Sequence, residues 1–306
     1  MEEKIFYYNN YYINNDEEEF SPLNHDEIYN FFNSGNSLSI FENKFNYLFD
    51  SKITLKKYFM NLVEKRIIID KLPYPNEIFK STVKFSDNNY PVDYFFDQNN
   101  LTKFKETCKC QKGLGFKQND IILAKSSKIP DFIKNRHSVR NYKKDKISFQ
   151  DFSDIVSILC EKDDGNYFYP SAGALYPNEF YIDIKNVESL EQGCYKLNPI
   201  NRKIHKISNV IGSKVQYFAN KEIYNKAPLV IYISYNAEFN IPKYREYGYM
   251  FGMIETGICS SYLTLISEYK NLGSCILGIM DFEKIEKMLK ISSNEHILEA
   301  IAIGKK

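Results

Sequence analysis

Pro170-Ser171-Ala172-Gly173-Ala174-Leu175-Tyr176-Pro177 is the stretch on which the fold assignment turns. Prolines fix the backbone at its two ends, and the residues between them carry mostly small side chains, so the chain there is stiff and bare. A flat ligand can approach its N–H and C=O groups closely, and Ser171 adds a hydroxyl. The plainer alternative is a tight turn, because Phe180-Tyr181-Ile182-Asp183-Ile184 follows as a strand candidate. The run of small residues is longer than such a turn needs, which favours a binding role.

Two further stretches carry chemistry, one on each side. Upstream, Arg136-His137-Ser138-Val139-Arg140 offers two forked cations around a hydroxyl, a complement to a phosphate. Alone, it equally fits a solvated basic turn. Downstream, Leu272-Gly273-Ser274-Cys275-Ile276-Leu277-Gly278 offers glycines and a serine where a helix gives way to a strand. By itself that piece fits a helix C-cap with Gly273 left-handed.

The elements around these stretches are mixed. Ser148 is placed to cap a helix bearing Phe152, Ile155, Val156 and Leu159 on one face. Leu229 to Tyr235 reads as a strand, and Met250 to Ser267 as a long helix with Ile254, Ile258, Ser261, Tyr262 and Leu265 towards the core. Asp281 caps a helix to Leu289, and Ile297 to Ile303 closes as a strand. No regular βαβ rhythm or internal repeat is visible, so an α+β domain from 129 to 306 is expected rather than a doubly wound sheet. Residues 1–20 read as a flexible, polar arm. Residues 21–128 read as a helical region and linker. After Ser51, Leu55, Phe59, Leu62 and Val63 share a helical face, and the short helices ending in Ile67-Ile68-Ile69 suggest a small winged-helix-like unit. Such a unit could bind a peptide or simply pad the core. Asp97-Gln98-Asn99-Asn100 and Gln111-Lys112-Gly113-Leu114-Gly115 read as loops.

Composition narrows the function. Forty Lys and Arg against 39 Asp and Glu leave no global field to attract nucleic acid. No apolar run is long enough for a transmembrane helix and no signal-peptide pattern opens the chain, so a cytoplasmic protein without a membrane partner is expected. Only Cys108 and Cys110 of the six cysteines are close-set, and no second pair or His cluster completes a zinc site, so no metal is expected.

In their order along the chain, the three stretches resemble the nitroreductase-like flavoproteins, and more narrowly the SagB/McbC-type dehydrogenases of thiazole/oxazole-modified peptide biosynthesis. The resemblance runs from about Pro130 to Lys306. It includes the Asn-Glu-Phe-Tyr strand after Pro177, Glu255-Thr256-Gly257 in the long helix, and the closing Ala302-Ile303-Gly304-Lys305. It implies a homodimer with FMN at the subunit interface. Arg136, Ser138 and Arg140 would hold the phosphate and ribityl chain. Pro170, Ser171, Ala172, Gly173 and Leu175 would line the isoalloxazine ring. Gly273, Ser274, Cys275, Leu277 and Gly278 would contribute from the other side, and Lys305 or Lys306 would reach the phosphate unless the C-terminus is untethered.

In azoline-oxidising members a Lys-Tyr pair precedes the long helix, and Lys243-Tyr244 stands there in this chain. Oxidising a thiazoline or oxazoline removes a proton from one ring carbon and a hydride from its neighbour, and a Tyr beside a Lys cation is a suitable base. Both residue types are so common in this chain that only the location singles the pair out. The family often carries a His after the Glu-x-Gly of the helix, where this chain has Ile258. The expected function is therefore an FMN-dependent azoline dehydrogenase acting on a precursor peptide beside a cyclodehydratase complex. A nitroreductase-like NAD(P)H oxidoreductase of small molecules and a non-catalytic scaffold of such a complex stand as alternatives.

Overall fold

The computed structural model of the chain describes residues 5–9, 21–70, 94, 97–112, 128–216, 219–278, 280–292 and 294–306. In the first unit, β1 (Ile5–Tyr8) is the middle strand of a small sheet, flanked by β2 (Asn36–Ser37) and β3 (Ile68–Ile69). Residues 5–8 are thus not part of a loose arm: alternate side chains Phe6 and Tyr8 are buried in the unit's core. The rest of the expected arm, 1–4 and 10–20, lies outside the described residues. Three helices complete the unit, α1 (His25–Phe32), α2 (Leu38–Phe45) and α3 (Lys52–Glu64). Each begins on a side-chain cap, Asn24, Ser37 and Ser51 in turn, and Asn24 forms a reciprocal box with Glu27. Phe31, Phe32, Phe41, Phe45, Phe59, Leu55 and Leu62 fill the space between them. The short helices expected in this region are present.

Asp97-Gln98-Asn99-Asn100 is not a loop. The Asp97 carboxylate accepts the N–H groups of Asn99 and Asn100 at 2.7 and 3.0 Å and so starts α4 (Gln98–Lys112). Gln111 and Lys112 end that helix, whereas Gly113-Leu114-Gly115 and most of the expected linker fall outside the described residues.

The larger unit follows α5 (Asp131–Asn135) and α6 (Phe149–Ser157). Its strands are β4 (Asn178–Ile184), β5 (Gly193–Asn198), β6 (Lys203–Ser208), β7 (Leu229–Asn236), β8 (Leu272–Leu277) and β9 (Glu295–Lys305). They form one six-stranded sheet in the order β6-β5-β4-β7-β9-β8, with antiparallel neighbours throughout. The helices between them are α7 (Ala219–Lys226), α8 (Ile241–Tyr244), α9 (Glu246–Tyr269) and α10 (Phe282–Leu289). Both faces of the sheet are covered, which is why β7 reads Leu-Val-Ile-Tyr-Ile-Ser-Tyr with hardly a polar side chain. On one face Phe180, Ile182, Leu229, Ile231 and Ile233 pack on α6 and α9 through Phe152, Ile155, Cys259 and Leu263. On the other, Tyr181, Val230, Tyr232 and Ala302 pack on α7 and α10 through Ile223, Tyr224, Ile285 and Leu289. The architecture is the α+β one expected, and the Ser148 and Asp281 caps, the central strands and the closing strand lie where the sequence places them.

Asp183 is fully buried on the second face, where it accepts from the Tyr224 hydroxyl and from the Ile211 N–H at 3.2 Å. Burial pushes its carboxyl up from 3.8 to about 6, and Lys185 beside it is pushed down to about 8. The fold therefore favours the neutral acid. That contribution, roughly 3 kcal/mol, is complete below the unfolded value near 4 and is lost as pH rises through about 6. Urea midpoints of the wild type should fall relative to Asp183→Asn between pH 4.5 and 7.5; parallel curves would contradict this.

The long helix differs from expectation in which side it buries. Ile254 is 53% exposed, and Ser261 and Tyr262 also face outward. The packed side carries Glu255, Thr256, Cys259, Ser260, Leu263, Thr264 and Ser267. Tyr247, Met250, Ile254, Ser261 and Leu265 recur at helical spacing and form a separate stripe that is exposed except at the half-buried Leu265.

Candidate active site

The upstream and downstream stretches meet at the edge of the sheet. Ser138 bridges Ser274 in parallel, and the Val139 N–H donates to the Ser274 carbonyl at 2.9 Å. The approach is close enough to demand a glycine, because a Cβ on Gly273 would lie 2.6 Å from both Cβ and Cγ1 of Val139. Leu272–Leu277 is therefore a strand and not a turn. Asn271, at φ +57°, takes the left-handed position after α9, the place that the helix C-cap alternative gave to Gly273.

Strand alternation then sorts the downstream candidates. Ser274 and Ile276 face a cleft of about 340 Å³ that is also lined by Arg136, Ser138, Ser261, Thr264 and Leu265. Cys275 and Leu277 point the other way into the second core, where burial raises the Cys275 thiol. Neither lines the cleft, and nor does Gly278. Arg140 folds back, its guanidinium donating to the Ser138 carbonyl at 3.3 Å, so Arg136 is the arginine that lines the cleft. Lys305 is held in β9 opposite Leu272, its carbonyl accepting from Lys143 at 2.9 Å. Lys306 pairs with Glu268 at 2.6 Å. The last residues are thus tied into the sheet. His137 contacts the Asn135 carbonyl at 2.8 Å.

The Pro170–Pro177 stretch is a compact turn with three departures to positive φ: Gly173 at +65°, Ala174 at +55° and, after Leu175, Tyr176 at +46°. Its exposed crest is Gly173 and Ala174, with Pro170 also exposed and Ser171, Ala172 and Leu175 partly covered. Ser171 stiffens it from within, accepting from the Tyr176 N–H at 2.8 Å, while its carbonyl accepts from Ala174 at 3.1 Å. Lys243 and Tyr244 sit directly on this crest. A Cβ at Gly173 would be 2.5 Å from the Tyr244 hydroxyl oxygen and 2.6 Å from the Lys243 ammonium nitrogen. That nitrogen is 5.0 Å from the centre of the Tyr244 ring. α8 delivers both, closing on Arg245 at φ +51° before α9 begins.

Sequence reasoning left Glu255 without a role. It is 3% exposed and accepts the Ala172 N–H on Oε1 at 2.9 Å, while Oε2 has no hydrogen-bond partner. Burial raises its carboxyl, partly offset by Ala172 and the Ser171 hydroxyl. The available signal was the lone acid between Glu246 and Glu268 in the long helix. Ser261, Thr264 and Leu265 leave α9 roughly a quarter to a half turn around from Glu255, and Thr264 lies about 14 Å further along the axis. The cleft and the turn are thus separate half-sites: one a cationic and hydroxyl-lined recess suited to an anion, the other a bare backbone under a Lys-Tyr pair.

The fold is that of a nitroreductase-like flavoprotein scaffold. The chain belongs to the Nitroreductase family, whose model matches residues 133–305, and it is an oxidoreductase of that family, which is in general FMN-dependent. A protein of Methanocaldococcus jannaschii described as a nitroreductase is 29% identical over 183 residues, 58% of this chain and 91% of that one. The structure of a protein from Anabaena variabilis, also described as a nitroreductase, superposes with a TM-score of 0.50 at 19% identity, over 57% of this chain and 37% of that one. The E. coli microcin synthetase McbBCD complex with truncated pro-MccB17 bound superposes with a TM-score of 0.55 at 18% identity, covering 74% of this chain and 86% of the matched one. No helix among the described residues is long and apolar enough to cross a membrane.

Proposed function

We propose that the chain is an FMN-dependent dehydrogenase that oxidises peptide thiazolines or oxazolines to thiazoles or oxazoles. The observation that carries this reading is the convergence of Lys243 and Tyr244 on the bare crest at Gly173. The larger overlap with the microcin synthetase complex, 74% of the chain against 57% for the Anabaena protein, supports it further.

The half-sites fit the cofactor. Arg136, Ser138 and Ser274 suit its phosphate and ribityl hydroxyls, and the Ser171–Leu175 backbone suits the edge and face of its ring. When bound, FMN supplies the hydride acceptor. Tyr244 takes the ring-carbon proton with the Lys243 ammonium beside it, both seated on the Gly173 crest. Because the half-sites lie on different sides of α9, the cleft of one copy is completed by the turn of a second. The stripe Tyr247, Met250, Ile254, Ser261, Leu265 is the surface that a homodimer would cover. The partners of this reading are an azoline-containing precursor peptide and the cyclodehydratase complex that makes the azolines.

Flavin-loaded protein given such a peptide should remove about two mass units per ring by mass spectrometry, as loss of one proton and one hydride requires. Rapid NAD(P)H consumption with nitroaromatics and no action on the peptide would favour the small-molecule alternative. Protein that refuses added FMN would favour a scaffold.

A further inference from the structure

The proposed base sits on a turn that Glu255 ties to the long helix through Ala172 and the Ser171 hydroxyl. Glu255 Oε1 receives the Ala172 N–H at 2.9 Å, immediately before Gly173, and this bond spans 83 residues of sequence. The carboxyl is 3% exposed, and its other oxygen has no hydrogen-bond partner. The ionisable groups facing it are Tyr169 from the segment before the turn, Tyr235 from β7 and Cys259 one turn on in α9. None is a cation, and burial raises all three. The Ala172 N–H and the Ser171 hydroxyl give a carboxylate some support, but burial outweighs them and Oε2 stays unpartnered, whereas a carboxylic acid places a neutral hydroxyl at that open position.

We propose that Glu255 is a positioning residue that acts as a neutral carboxylic acid, locking the Ala172–Gly173 backbone under Lys243 and Tyr244. The reading of Lys243 and Tyr244 is that of the proposed function; the state of Glu255 is not. Its carbonyl accepts the Ala172 N–H, and ionisation puts charge into an apolar setting and loosens the turn. As pH rises through the raised value of Glu255, turnover should therefore fall.

Glu255→Gln keeps an accepting oxygen and a neutral donor of the same shape, so it is expected to keep flavin content and turnover within about twofold and to lack the alkaline fall. Glu255→Ala releases the turn, and a displacement on the order of 1 Å costs about 100-fold in kcat. In the infrared difference between wild type and Glu255→Gln, the carbonyl stretch of a protonated carboxylic acid should appear and shift in D2O. A missing band, or a Gln variant as impaired as Ala, would overturn the proposal. The band and flavin retention report on Glu255 even if no azoline is oxidised, an outcome that would sink the proposed substrate alone.

Discussion

Tyr244→Phe is expected to lower azoline oxidation by about 100- to 10,000-fold while leaving the protein folded and its flavin bound. The ring packs edge-on against Phe251 at 5.1 Å, and phenylalanine keeps that contact. Only the hydroxyl is lost, and it is the group that stands over Gly173 beside the Lys243 ammonium. Lys243→Ala should reduce the same rate by removing the neighbouring positive charge. Flavin absorbance and single-turnover oxidation measured on one sample separate the two effects. A Phe variant that oxidises azolines at the wild-type rate removes Tyr244 from the chemistry and returns the site to the small-molecule reading.

Gly273→Ala is expected to weaken FMN binding by more than about tenfold, with little change in overall helix and strand content. The new methyl would press on the Cβ of Val139, which is no flexible chain end that swings aside. Overpacking of this kind costs about 1–3 kcal/mol, and here the easiest relief is to push the Arg136–Arg140 segment off β8. That movement breaks the Val139–Ser274 bond and takes Arg136 and Ser138 out of the cleft. Fluorescence titration of the flavin-free protein measures the loss. Unchanged affinity would mean that the segment is held by something other than its docking on β8.

Much of the larger unit was legible because its signals are local. The Ser148 cap, the alternating strand after Pro177 and the all-apolar β7 each follow from a few adjacent residues. Legibility fails where distant partners decide. Gly273 and Gly278 look like turn residues until Val139 is seen lying across the first of them, an approach that a strand glycine permits. The buried side of α9 was misjudged for a related reason. The helix is apolar on two sides, and its interior side includes Glu255, Thr256, Ser260, Thr264 and Ser267, whose partners come from elsewhere in the chain or from the preceding turn. Asp97 illustrates the opposite error: an Asp-Gln-Asn-Asn run suits a loop and a helix start equally, and here it starts a helix. The contact of Lys243 and Tyr244 with the Gly173 crest joins segments some 70 residues apart, and no spacing rule foretells it.

The place of β9 between β7 and β8 also dictates an order of assembly during synthesis. β8 is made before β9, yet β9 is the neighbour that holds it in the sheet. Until residues 295–305 have left the ribosome, β7 keeps an unzipped edge and the strand bearing Ser274 has no ladder to join. The recess that receives Arg136 and Ser138 is consequently among the last parts of this unit to take shape, together with the share of both hydrophobic layers that β9 supplies.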